Sequence, residues 1–169
     1  MTIEVGLIPD DKSLKSVQEL CLIDQPYQSY RESDQLFIQA MKENILWHIN
    51  HCPFYQNLIK LQGFEIEQLN SIEDLSLVPF ITADFFKSNE IKSINNEDVY
   101  LHLTSSGTTG QKSQIFFDQW SITCAQKMVE NIFKFYGWID QQKSNYLLYS
   151  YQPEFNPKLG TAFTDNYLC

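Results

Sequence analysis

Six consecutive small or hydroxylated residues, Ser105 to Gly110, separate two β-prone runs, and this interval constrains the chain more than any other. None of its side chains can fill a core, so it has to be a surface connection. The flanking runs predict a hairpin with strands over 99–103 and 114–118. Gly107 and Gly110 permit positive φ, Thr104 and Ser113 add hydroxyls at either side, and Lys112 adds an ammonium. Successive backbone N–H groups, hydroxyls and one cation are what a polyphosphate needs as partners. A plain polar hairpin loop has the same composition, so composition alone leaves both readings open.

Upstream, the spacing is helical. Leu14, Val17 and Cys21 predict a short amphipathic helix over 12–23, ended by Asp24-Gln25-Pro26. Phe37, Met41, Ile45 and Ile49 fall at four-residue steps, with Ser33 or Asp34 as the expected cap. Pro53 suits the first turn of a helix over 54–61, and Gly63 sits where a C-terminal glycine cap belongs. Ser71-Ile72-Glu73-Asp74 resembles a capping box with Asp in place of Glu. Thr82 is expected to cap a short helix over 83–87 with Phe85 and Phe86 inward, and Asn95 to Asp98 to form a turn. Beyond the hairpin, a helix from Trp120 to Tyr136 is expected to carry Ile122, Ala125, Met128, Val129, Ile132 and Phe133 on one face. A further strand is expected over 145–151. The fold class is therefore α/β: a mainly helical N-terminal region, 1–97, leads into the start of a mixed β-sheet region, 98–169.

Twelve basic against twenty-one acidic residues give a net charge of −9 with no basic tract, which excludes a typical nucleic-acid binder. A nucleotide is not excluded, because a local loop and a metal ion can hold its phosphates. Cys21, Cys52, Cys124 and Cys169 show neither C-x-x-C nor metal-ligand spacing, so buried thiols in a reducing compartment are expected and no metal site is assigned. The N-terminus lacks signal-peptide character and no run approaches the roughly 18 apolar residues of a membrane span. A soluble, cytoplasmic protein is expected. The chain stops at Tyr167-Leu168-Cys169 without a polar tail, which reads as a cut through a domain.

The commonest phosphate loop, G-x-x-x-x-G-K-[ST], fits poorly. Gly107 to Lys112-Ser113 is one residue short, and that loop must open directly onto a helix, whereas Ile115-Phe116-Phe117 is β-prone. The order Thr104-Ser105-Ser106-Gly107-Thr108-Thr109-Gly110 instead resembles the phosphate loop T-S-G-T-T-G-x-P-K of the acyl-adenylate-forming enzymes. Where that superfamily has Pro-Lys this chain has Lys112-Ser113. Together with Asn50-His51-Cys52-Pro53-Phe54-Tyr55, Leu75 to Ile81 and Phe86-Lys87, this variant resembles the acyl-protein synthetases. These are the fatty-acid ligase component of bacterial luminescence fatty-acid reductase and its relatives.

The resemblance implies the N-terminal part of an adenylating enzyme's large domain. It implies ATP and Mg²⁺ as cofactors and a carboxylic acid, expected to be fatty, activated as acyl-AMP with release of pyrophosphate. The acyl group would then pass to a protein thiol, or to coenzyme A as in the phenylacetate–CoA ligases, with a partner subunit left open. Thr104, Ser105, Ser106, Gly107, Thr108, Thr109, Gly110 and Lys112 would contact the ATP phosphates. The adenine pocket and the acyl-accepting cysteine of such enzymes lie beyond this sequence, so that role is not placed on Cys169, and the 169 residues alone are expected to be inactive. A non-catalytic nucleotide-binding or scaffold fragment and an aberrant P-loop hydrolase are the alternatives. His48 and His51 share a helix face without a third ligand, and His102 abuts the loop; structural roles are expected for all three. Core packing is expected for Tyr146, Tyr149 and Tyr151.

Overall fold

The computed structural model describes residues 7–25, 27, 30–105, 112–139, 145, 147 and 167, with the backbone alone at 30–32. The expected strand over 145–151 and the loop positions Ser106 to Gln111 lie outside the described residues.

Helix α1 spans Lys15–Cys21 and has no side-chain cap of its own at Leu14. Its first-turn donors are satisfied from a distance. The Glu43 carboxylate accepts from the Ser16 N–H at 2.7 Å, the Val17 N–H at 3.1 Å and the Ser16 hydroxyl at 2.7 Å. An acid at a helix N-terminus also complements the helix dipole. Before the helix, Asp10 accepts from the Lys12 N–H at 2.9 Å, the Ser13 N–H at 3.3 Å and the Ser13 hydroxyl. The serine hydroxyl first, then these N–H groups, hold its carboxyl below the usual range. This turn takes up residues 10–14, so α1 starts three residues later than periodicity alone predicts.

Helix α2, Tyr30–His51, begins one turn before the expected caps. Ser33 and Asp34 are therefore helical, as favourable propagation allows once a turn is nucleated. Cys52 breaks it with an extended backbone and Pro53 opens α3, Pro53–Gln62. Gly63 then adopts φ 64°, ψ 27°. Its N–H donates to the Lys60 carbonyl at 3.3 Å, and the Phe64 N–H donates to the Ile59 carbonyl at 3.3 Å. This pair of bonds is a Schellman motif, completed by the contact between Ile59 and Phe64 inside the core.

That core gathers Ile38, Ile45, Ile59, Phe64 and the fully buried Leu69 between α2, α3 and the irregular segment that follows. The segment is held by polar side chains. Asp74 accepts from the Asn70 N–H at 2.9 Å, the Ser71 N–H at 2.8 Å and the Ser71 hydroxyl at 3.1 Å. These bonds, that of Asn70 foremost, lower the Asp74 pKa. The expected capping box is thus half-formed: the serine hydroxyl turns to the carboxylate and a 3₁₀ turn, Glu73–Leu77, follows. Helix α4 is only Phe85–Ser88 and has no side-chain cap; Thr82 contributes its carbonyl, which accepts from the Phe85 N–H at 3.0 Å. Phe85 stacks on Phe54 at 4.8 Å between ring centres, and both Phe85 and Phe86 are half-buried.

Strands β1, Leu101–Thr104, and β2, Gln114–Phe117, pair antiparallel in the register Leu101 to Phe117 through Thr104 to Gln114. Helix α5, Gln119–Phe135, follows β2 at once. Asp118 is its cap: the carboxylate accepts from the Ser121 N–H at 2.7 Å and the Ser121 hydroxyl at 2.8 Å. The buried positions are Trp120, Ile122, Thr123 and Cys124, in the first turns. Met128, expected inward, is 57% exposed. Trp120 and Cys124 form a second cluster with Ile8 and Leu14, against which Val17 and Cys21 of α1 and Trp47 of α2 pack. No helix among the described residues is long and apolar enough to cross a membrane.

Candidate functional site

The glycine- and hydroxyl-rich run connects two antiparallel strands. Beyond the last strand pair the ladder continues by one step: the Ser105 N–H donates to the Ser113 carbonyl at 3.0 Å, and the Ser113 N–H donates to the Ser105 hydroxyl oxygen at 3.0 Å. Accepting that bond leaves the Ser105 hydroxyl hydrogen free to donate elsewhere. The Ser113 hydroxyl donates to the Ala83 carbonyl at 3.1 Å and ties the exit of the loop to the segment leading into α4. The residues that bracket the loop are therefore fixed on both strands and against a third element.

Of the eight residues expected at the phosphates, Thr104, Ser105 and Lys112 are described. Thr104 ends β1 and shares a sheet face with His102, Gln114 and Phe116. Ser105 closes the hairpin. Lys112 is exposed, immediately before the Ser113 anchor. Ser106, Gly107, Thr108, Thr109 and Gly110 lie outside the described residues.

The element after the loop decides what kind of phosphate site is available. In a helix-capping loop, the N–H groups at the start of the next helix face the anion. Here the next element is β2, and at the start of α5 the Ser121 N–H is already met by the Asp118 carboxylate. An anion placed there would meet a like charge. Phosphate donors on this hairpin have to come from the loop itself.

A cleft of about 720 Å³ opens at the other end of the hairpin, with Trp47, His51, Glu97, Asp98, Tyr100 and Asp118 among its lining. Three carboxylates against one imidazole make it unsuited to a polyphosphate, and it lies opposite the loop. Two of the histidines have hydrogen-bond partners within the protein, while the buried His102 Nε2 has none among the described residues. His48 Nδ1 is 2.7 Å from the Ser93 hydroxyl. His51 donates from Nδ1 to the Trp47 carbonyl at 2.8 Å, and its ring stacks on Trp47 at 3.7 Å. Burial, and then the charge of His51, lower the His48 pKa. His102 stacks on its cross-strand partner Phe116 at 4.5 Å, and the Lys92 ammonium lies 4.8 Å from the centre of the Phe116 ring. Among the described residues, no three His, Cys, Asp or Glu side chains gather as metal ligands.

Sequence reasoning placed the hairpin and missed its supports. Asp118 looked like the end of a strand, although Asp118-Gln119-Trp120-Ser121 is an N-cap pattern that could have found it. Nothing in the spacing signalled the bond from Ser113 to Ala83, thirty residues away.

The chain was compared with known proteins. A family model described as acyl-protein synthetase, LuxE, matches residues 7–154, which include the whole hairpin and its loop. Over 128 residues the chain is 27% identical to a protein of Aliivibrio fischeri named long-chain-fatty-acid–luciferin-component ligase. That match covers 75% of this chain and 33% of the relative. A protein of the same name from Vibrio harveyi is also 27% identical over 128 residues, with the same shares covered. The chain spans about a third of the length of these curated relatives.

Proposed function

The chain belongs to the LuxE family of acyl-protein synthetases, and from that premise we propose that it is the N-terminal part of an enzyme that activates a fatty acid with ATP. The carboxylate attacks the α-phosphorus, acyl-AMP forms and pyrophosphate leaves; the acyl group then passes to a thiol on a protein. The relatives' names, which join a long-chain fatty acid to a luciferin component, support a long-chain acid and a protein acceptor for this chain.

Within this chain, the work assigned to the hairpin loop is to hold the leaving pyrophosphate. The Ser105, Thr104 and Ser106 hydroxyls are assigned to the phosphate oxygens. The backbone N–H groups of Gly107 and Gly110 and the hydroxyls of Thr108 and Thr109 complete the set, and Lys112 adds a mobile positive charge at the exit. Such donors act mainly by being in place before charge develops, and removing one costs about 100- to 1,000-fold in rate where it is well aimed. All of these groups are oxygen or N–H donors, which suits a magnesium-complexed nucleotide; bound with it, Mg²⁺ supplies further positive charge on the same phosphates. Adenine, ribose and acyl contacts are assigned to the remaining two thirds of the protein, and the site is shared between this chain and that portion.

The observation that carries this reading is the closure of the loop by Ser105 and Ser113 between two strands, with the following helix capped by its own acid. The test is carboxylate-dependent ATP–pyrophosphate exchange by the full-length protein. Exchange with a long-chain acid that falls at least about 100-fold in Thr108→Ala/Thr109→Ala is the expected result. Hydrolysis of ATP to ADP and phosphate, with no exchange for any acid, would overturn it. Acyl transfer to coenzyme A but to no protein would move the enzyme to the acyl-CoA ligases.

A further inference from the structure

The apolar face of α5 runs on past its buried turns. Trp120, Cys124, Met128 and Phe135 recur at i, i+4, i+8 and i+15, which is one face of a helix. At the start of that face, Trp120 and Cys124 are buried in a cluster with Ile8 and Leu14. Further along it the cover ends: Met128 and Phe135, and Tyr136 and Trp138 just after the helix, are each between 52% and 57% exposed. Another side of the helix carries Glu130 and Lys134, which pair with each other. The amphipathic pattern thus holds along the whole of α5, whereas full burial among the described residues is confined to its first turns.

The exposed part is a built surface. A Schellman motif closes α5: Gly137 adopts φ 67°, its N–H donates to the Lys134 carbonyl at 3.0 Å, and the Trp138 N–H donates to the Phe133 carbonyl at 2.8 Å. The Trp138 ring is thereby set 5.1 Å from Phe133 and stacked on Tyr136 at 5.2 Å. Phe135 meets Tyr136 edge-on at 5.4 Å. The Tyr27 ring lies 4.8 Å from Phe135 and 5.8 Å from Tyr136, and the Tyr136 hydroxyl donates to the Tyr27 hydroxyl at 3.3 Å. Along one border, the Asn131 side-chain amide donates to the Ile23 carbonyl at 3.4 Å. Aromatic side chains present about 150–250 Å² each, so these half-exposed rings leave roughly 400 Å² of apolar surface in one patch, a size that marks an interaction site.

We propose that this face, residues 128–138, is the seat of an apolar segment from the remaining two thirds of the enzyme. The inference rests on the reading of the chain as the N-terminal part of a longer protein, and on nothing about adenylation. Three observations select that occupant. The matched region covers 33% of each relative, and the family match runs through α5 and beyond it, so the stripe lies inside the shared region and ample chain remains to cover it. The patch is made of rings and a methionine without a charged member, as in permanently covered interfaces more than in transient ones. A fatty acyl chain needs a concave site, whereas a helix stripe is convex, and the cleft at the far end of the hairpin is lined by none of these residues. Because α5 starts directly after β2, a segment seated on it would also fix the phosphate loop relative to the rest of the nucleotide site.

The experiment is hydroxyl-radical footprinting of the full-length protein, with each side chain referred to its own labelling in urea. At the exposure seen here, Met128, Phe135, Tyr136 and Trp138 would react at about half the unfolded rate; seated, they are buried and should react at about a tenth of it or less. The occupant is then identified with the photo-cross-linker p-benzoylphenylalanine in place of Phe135. The expected product has monomer mass and an internal cross-link to a peptide from the portion that follows these 169 residues. Met128→Lys should lower the urea midpoint of the full-length protein, whereas a lysine on an open helix surface would leave it unchanged. The wild-type footprint stands even if that variant fails to fold. Labelling at half the unfolded rate would overturn the proposal, as would cross-links only within residues 1–169, to a second copy or to another protein. Protection without pyrophosphate exchange would support the seat and count against the acid-activation reading alone.

Discussion

Ser105 and Ser113 allow the support of the loop to be separated from contact with substrate. The Ser105 hydroxyl has two uses: its oxygen accepts from the Ser113 N–H at 3.0 Å, and its hydrogen is assigned to a phosphate oxygen. Ser105→Ala removes both. The first is exposed, and water replaces it, so the stability cost should be small, about 0.5–1 kcal/mol. The backbone bond from the Ser105 N–H to the Ser113 carbonyl remains. The second is a hydrogen bond to a charged acceptor, which is worth about 1.5–3 kcal/mol. At about 1.4 kcal/mol per factor of ten, kcat/KM for ATP in pyrophosphate exchange should fall about 10- to 150-fold. Ser113→Ala is the control. It loses only the exposed bond to the Ala83 carbonyl, near 0.6 kcal/mol, and should change exchange by no more than about threefold. Both variants are measured in the full-length protein, with urea unfolding alongside. Ser105→Ala within twofold of wild type would refute a phosphate role for that hydroxyl. Equal losses in both variants would show that the hairpin's attachment, and not the hydroxyl donor, matters.

Three further outcomes follow from local geometry. Gly63→Ala should destabilise by about 1–2 kcal/mol in urea unfolding, because a Cβ there meets nothing within 4 Å and only the left-handed backbone at φ 64° is penalised; Gly63→Asn should recover part of that. Asp118→Ala should cost about 1–2 kcal/mol by uncapping α5, while Asp118→Asn, which keeps a side-chain acceptor for the Ser121 N–H, should cost markedly less. His48 is held below its ordinary 6.5 by burial and then by His51, so the unfolded chain binds the extra proton first. Stability should therefore fall as pH drops below about 7 through 6.5 toward the folded pKa, and His48→Gln should flatten that slope of unfolding free energy against pH.

Features carried by neighbours in sequence were legible. Pro53 at the first turn of α3, Gly63 in its left-handed cap and the hairpin around Ser105–Ser113 all came from residues within a few positions of each other. The capping pattern at Ser71–Asp74 was half right, because whether serine bonds to backbone or to carboxylate depends on a turn geometry that the pattern does not encode. What could not be read from spacing was set by tertiary contact. Glu43 caps α1 from α2, the start of α5 is buried against Ile8 and Leu14 with Val17, Cys21 and Trp47 beside them, and both depend on how distant segments meet. The expected apolar face of α5 was a true periodicity, but Met128 is exposed while Thr123 is covered. The family was legible for the same reason as the hairpin: the order Thr104 to Gly110 is a local signal, and it does not require knowing what packs behind it.

The two ends of the hairpin divide the electrostatics of this region. At the far end, Asp118 occupies the positive terminus of α5, and Glu97 and Asp98 add negative charge around the same cleft. A helix dipole, which elsewhere supplies a concentrated field for phosphate, is therefore used internally here. At the near end Lys112 is a cation on an exposed and flexible stem. The polyphosphate proposed for this end would be held by many neutral donors of a loop bracketed by the Ser105–Ser113 closure. Such a site should lose affinity gradually as single hydroxyls are removed and sharply when the closure is broken on both strands. Because screening acts mainly between separated full charges, it should also depend weakly on ionic strength, in contrast to a lysine- or arginine-lined pocket. A steep loss of ATP affinity between low salt and about 0.3 M salt in the full-length enzyme would instead place the main phosphate contacts on cations outside this chain.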